Sequence, residues 1–99
     1  MAEVEVGSGD VAVSVGDTVV VRLPEVTSGH VWSVSELGAG LVLLGDRYES
    51  AGETAPGGGA DHVFELRADR TGDWAVGLRL AREWESQPLD ERRITVRAG

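Results

Sequence analysis

Three short stretches carry the residue types best suited to recognising another molecule: Glu25-Val26-Thr27-Ser28-Gly29, Gly57-Gly58-Gly59-Ala60 and Arg82-Glu83-Trp84. Thr27 and Ser28 offer small hydroxyls that donate and accept hydrogen bonds without filling a partner's pocket. Gly29 permits a tight turn or a positive φ where that stretch ends. Three consecutive glycines let a backbone lie flat on a partner. Trp84 is of the residue type most often found as an interface anchor, and Arg82 can stack on it or run its stem beside it. This is the chemistry of contact rather than of bond breaking.

The residues of bond breaking are missing or scattered. With no cysteine, thiolate nucleophiles, disulfides and Cys-based metal sites are excluded together. No Gly-x-Ser-x-Gly elbow occurs, and no P-loop lysine follows Gly57-Gly58-Gly59-Ala60. The carboxylates are spread over turns and the last loop, without the apolar setting that raises a pKa. Asp69 and Asp73 bracket a turn but lack the oxygen-rich spacing of a calcium loop. His30 and His62 stand apart with no ligand cluster and read as strand histidines. No catalytic residue, metal site or cofactor is therefore assigned. Taken singly, the three stretches also have plain readings. The glycines could be a flexible loop, Thr27-Ser28-Gly29 a turn, and Arg82 a partner for Glu83, Glu85 or Asp90 on a solvated rim.

The 99 residues suit a single domain, spanning 1–99, with one modest core. A hydrophobic fraction of 41% excludes a disordered tail, and the 14 glycines show no collagen-like period. The formal charge of −8 argues against nucleic acid, which needs a basic footprint, and is put down chiefly to solubility. No apolar run approaches the ~20 residues of a membrane span, and the start Met-Ala-Glu-Val-Glu-Val lacks the form of a secretory signal. The chain as given is expected in the cytoplasm, or outside it (secreted or periplasmic) had a signal been removed. The expected state is a monomer.

The three stretches interrupt a succession of strands. Apolar residues alternate at Val11, Val13 and Val15, then at Val19, Val21 and Leu23, before Pro24 stops the run. Trp32 and Val34 share a face. Leu41-Val42-Leu43-Leu44 reads as a strand buried on both sides or a transition segment, turning at Gly45-Asp46 into Arg47-Tyr48-Glu49. His62, Phe64, Leu66 and Ala68 alternate next, then Trp74, Val76, Leu78 and Leu80, and last Arg92, Ile94 and Val96. Period two dominates, in runs rich in strand formers. The stretch from Ala81 to Arg93 has no repeated apolar face and contains Pro88, so it reads as a long loop rather than a helix. Seven to eight short strands with turns at intervals of roughly ten residues predict an all-β, immunoglobulin-like antiparallel β-sandwich without a disulfide. Trp32, Phe64 and Trp74 are the expected core aromatics, with Tyr48 a weaker candidate. Such a fold can gather all three stretches at one end.

These residues resemble a known family, the chagasin-like inhibitors of papain-type cysteine proteases. Leu23-Pro24-Glu25-Val26-Thr27-Ser28-Gly29-His30-Val31-Trp32 resembles its first motif, Asn-Pro-Thr-Thr-Gly followed by an aromatic, one residue and Trp. Pro56-Gly57-Gly58-Gly59-Ala60-Asp61-His62-Val63-Phe64 is similar to its second, Gly-x-Gly-Gly with an aromatic four residues on. Leu78-Arg79-Leu80-Ala81-Arg82-Glu83-Trp84-Glu85 resembles its third, Arg-Pro-Trp after a strand of alternating Leu. The resemblance implies three loops entering a protease cleft as a wedge. Thr27, Ser28 and Gly29 would sit over the catalytic cysteine, Gly57, Gly58 and Gly59 would approach one wall, and Arg82 and Trp84 would anchor the other side. It implies a reversible inhibitor, not an enzyme, with a papain-like cysteine protease as partner. Glu25-Val26 stands where the family has Asn-Pro, and Glu83 where it has Pro. The alternative is a non-inhibitory immunoglobulin-like interaction module using the same end, or a sheet edge, for another protein.

Overall fold

The computed structural model describes residues 2–24, 30–50, 60–82 and 86–99. They form eight strands: β1 (Glu3–Val6), β2 (Gly9–Val13), β3 (Thr18–Pro24), β4 (Val31–Leu37), β5 (Leu41–Ser50), β6 (Ala60–Ala68), β7 (Gly72–Ala81) and β8 (Asp90–Ala98). One sheet has the order β1-β3-β6-β5, the other β2-β8-β7-β4. This is the expected all-β sandwich.

Alternation places the core. Val19, Val21 and Leu23 of β3 and Phe64, Leu66 and Ala68 of β6 face Trp32, Val76, Leu78, Leu80, Ile94, Val96 and Ala98 of the second sheet, and all are buried. Removing such a side chain from water stabilises by about 1.5–3 kcal/mol for each Val, Leu or Ile. On the outer face of the first sheet Val20 and Val63 are also buried. An ion-pair lattice runs among their neighbours on that face: Arg22 joins Glu5 (3.0 Å) and Glu49 (2.8 Å), and Arg47 joins Glu49 (2.6 Å) and Glu65. Arginine stems covering valines in this way keep their charged heads wet.

Four sequence expectations are corrected. Leu41–Leu44 is not buried on both sides: only Leu41 is buried, while Val42, Leu43 and Leu44 are exposed. They belong to an edge strand, and β5 continues to Ser50 through a bulge between Leu43 and Gly45 instead of turning at Gly45-Asp46. Tyr48, on that edge, is 57% exposed and lies outside the core. The last loop is shorter than expected, because β8 begins at Asp90 within a charged run whose alternation the sequence masks. Besides these, β1 is a strand for which the sequence raised no expectation. β1 pairs in parallel with β3, and after Ser8 the chain crosses so that β2 pairs in parallel with β8.

Trp74 fulfils its core expectation in part. It is half-buried and packs on the core, with its Nε1 donating to the Arg70 carbonyl at 2.9 Å. Gly40 lies against this ring, and a Cβ there would collide with the indole. At the same pole Asp17 ties the first strands together. Its carboxylate accepts the backbone N–H of Ser14 and of Ala2, each at 2.9 Å.

These bonds hold the Asp17 carboxyl below the usual aspartate range, the Ser14 N–H contributing most. A depressed folded-state pKa means the unfolded chain binds the proton more readily. The contribution is therefore present above the unfolded value near ~3.9 and lost as pH falls through the lower folded value. Asp17→Asn is expected to melt earlier at pH 7. Its melting temperature should then fall less steeply than that of the wild type as the pH drops below about 4, which thermal melts across that range would check.

Candidate functional site

The strand ends bracketing the three stretches meet at one pole. In the first sheet Pro24, where the first stretch begins, lies opposite Asp61, and Ser50 opposite Ala60, so the second stretch opens beside the first. In the second sheet Val31, just past the first stretch, lies opposite Ala81, and Leu80 opposite Asp90, which frames the third. The turns at Gly16, Gly40 and Asp69 occupy the other pole, bonded there as Gly16 N to Ala68 O (2.8 Å) and Asp69 N to Gly40 O (2.8 Å).

Two sets of side chains bind these strand ends to one another. Trp32 is 2% exposed, and its indole N–H crosses between the sheets to the Pro24 carbonyl at 2.8 Å. One bond thus ties the entry of the first stretch to the strand that leaves it. Arg92 lies over the Trp32 ring, 5.7 Å from its centroid, and its guanidinium reaches back 3.4 Å to Asp90 at the start of β8. The exit of the third stretch is thereby joined to the same indole. Leu89 N donates to Leu80 O at 2.7 Å and closes that exit.

The second set lies on the outer face. Arg22, two residues before Pro24, holds Glu49 at 2.8 Å and lies 3.6 Å from Asp61, so one guanidinium spans the ends of the first and second stretches. Glu49 is shared with Arg47, and these two arginines hold its carboxyl below the usual glutamate range, Arg22 the more strongly. Exposed pairs contribute little singly. Here two arginines share the Glu49 carboxylate, and Arg22 also reaches Asp61 on β6, so the set links β3, β5 and β6 and fixes their relative position.

Of the eight residues assigned to the site from sequence, the described residues include Arg82 alone. It follows directly on Ala81, the last residue of β7, and is half-buried. Thr27, Ser28, Gly29, Gly57, Gly58, Gly59 and Trp84 lie outside the described residues. His62, buried on β6, is a strand histidine as expected, whereas His30, also buried, stands one residue before β4 and is not in a strand. Sequence reasoning missed the positioning residues Arg22 and Arg92. Each looked like one charge among many, and only the register reveals which strand ends it joins.

The described surface elsewhere offers no converging chemistry of its own. A shallow groove over Gly77 on the outer face of the second sheet is lined by Ser35, Glu36, Glu91, Arg92 and Arg93. Arg93 and Glu36 pair across it at 2.7 Å. Among the described residues no group of three or more His, Asp or Glu is placed to hold a metal ion.

Comparisons with known proteins agree with this architecture. The sequence profile described as Chagasin family peptidase inhibitor I42 matches residues 12–97. No curated protein sequence matches the chain at a significant level. Among solved structures, the cysteine protease inhibitor EhICP2 from Entamoeba histolytica superposes with a TM-score of 0.83 at 19% identity, covering 99% of this chain and 96% of that one. Amebosin, solved in solution, superposes with a TM-score of 0.76 at 16% identity, covering 99% and 97% respectively. At these identities the superpositions establish the fold, while the profile, matching most of the chain, establishes the lineage. The chain belongs to the chagasin family of peptidase inhibitors.

Proposed function

We propose that this protein is a reversible inhibitor of papain-like cysteine proteases that blocks the active-site cleft with three loops from one pole of its sandwich. The observation that carries the reading is the convergence of all three pairs of strand ends, locked by Trp32–Pro24, Arg92–Trp32 and Arg22–Glu49, in a chain of the chagasin family. A platform of this kind lets short loops bind without a large ordering cost on association. The name of the Entamoeba structure, a cysteine protease inhibitor, supports the same class of partner.

In this reading Thr27, Ser28 and Gly29 occupy the centre over the catalytic cysteine. Gly57, Gly58 and Gly59 bring backbone close to one wall, and Arg82 with Trp84 anchors the other. Inhibition is by occlusion, and nothing in the inhibitor need react. Titrating papain with the protein against a fluorogenic peptide substrate tests it. The expected result is competitive loss of activity that dilution reverses. Full activity at micromolar inhibitor would overturn the reading and leave an interaction module with another partner.

A further inference from the structure

The molecule carries one aromatic side chain that is neither core nor part of the three stretches. Tyr48 is 57% exposed, two residues before the strand end at Ser50. At about 3.3 Å per residue it stands roughly 7 Å along the strand from Ser50, which pairs with Ala60, the last residue of the second stretch. Across the ladder it faces His62, with ring centroids 4.4 Å apart and planes tilted by 32°. His62 in turn stacks on Phe64 at 4.2 Å and 22°. Both supporting rings are buried, and Asp46 holds the His62 Nε2 at 2.5 Å. An aromatic column thus runs from the core to solvent and ends in a phenol on the edge of the sheet.

Exposed apolar residues flank the other two stretches in the same way. Val31, just past the first, is 46% exposed, and Leu89, just past the third, is 59% exposed. Each of the three therefore has one large apolar residue at a strand end, bordering the pole where the wedge reading places the protease. A protein interface of ordinary size covers about 800 Å² on each partner. Tyrosine on a rigid backing gives contact area at low entropic cost, and with Trp and Arg it is among the side chains most often decisive in interfaces.

We propose that Tyr48 is a fourth protease contact, beside the second stretch, packing its ring on the rim of a papain-type cleft. This rests on the inhibitory reading above. The test compares inhibition constants for papain among the wild type, Tyr48→Ala, Tyr48→Phe and, as a control further along the same strand, Leu44→Ala, with melting temperatures for all four. Tyr48→Ala is expected to weaken inhibition about 30-fold, the size of an interface hot spot. Leu44→Ala should change it less than about twofold, and Tyr48→Phe should fall between if the phenol hydroxyl is used. Because Tyr48 is largely exposed, the melting temperatures should stay within a few degrees. If the wild type inhibits and Tyr48→Ala inhibits equally well, Tyr48 is no contact and the inhibitory reading stands. If Leu44→Ala weakens inhibition as much as Tyr48→Ala, the effect is not a local contact and the proposal fails. If the wild type itself leaves papain untouched, the inhibitory reading fails and Tyr48 falls with it.

Discussion

Trp84→Ala is expected to raise the inhibition constant for papain by 30-fold or more while leaving the melting temperature nearly unchanged. The magnitude is that of a truncated aromatic anchor, about 2 kcal/mol or above, and each 1.4 kcal/mol is tenfold in affinity. Stability should be spared because the described strands already make a contiguous core from Val19 to Ala98. Paired enzyme assays and thermal melts separate the two quantities. A variant that melts much earlier would place Trp84 in the fold rather than in the contact, and a variant that inhibits as the wild type does would remove it from the site. Glu83 stands beside Trp84 where the family has proline. A proline's fixed φ is thus not available at that position, and in the proposed wedge Trp84 would supply more of the affinity.

The largest effect on stability is expected at Trp32. Trp32→Ala should lower the unfolding free energy by about 3–5 kcal/mol, the range for deleting a large buried aromatic. Against a total of about 5–15 kcal/mol for a domain, that brings the protein close to unfolding. Urea titration followed by circular dichroism would measure it, and a loss below about 1 kcal/mol would contradict the packing described here. Trp32→Phe separates packing from placement. It keeps a large ring but removes the N–H that reaches Pro24 O, a bond with a net value of about 0.5–1.5 kcal/mol. Its stability should therefore fall only modestly. Its inhibition of papain should still weaken, because the first stretch would lose the tie between its two ends.

Much of this molecule is legible in its sequence. Valines and leucines at every second position mark β3, β6, β7 and the inner half of β8, and a strand buried on one face leaves that signal. The failures share a cause. β5 is a sheet edge, where apolar residues such as Val42 and Leu43 are not forced inside, so composition there ceases to report burial. β1, Glu-Val-Glu-Val, drew no strand expectation: it is only four residues long, and half of its residues face solvent. The proposed site is readable in the sequence only as a set of residue types and a family pattern, and of its residues the described ones include Arg82 alone. The contacts that support it were not readable, since Arg22 and Arg92 act through partners 27 and 60 positions away, and single-sequence patterns carry no such distances.

The place of β8 within the second sheet has a consequence for how the protein is made. It lies between β2 and β7, and its pairing with β2, Gly9↔Ile94 to Val13↔Ala98, joins segments 85 positions apart. Until residue 98 has left the ribosome, β2 has nothing to pair with and β7 lacks one neighbour. The second sheet can therefore close only through a pairing that spans 85 positions (94 − 9). Contacts of such sequence separation fold slowly, so late closure of this sheet is the expected slow step when the protein refolds.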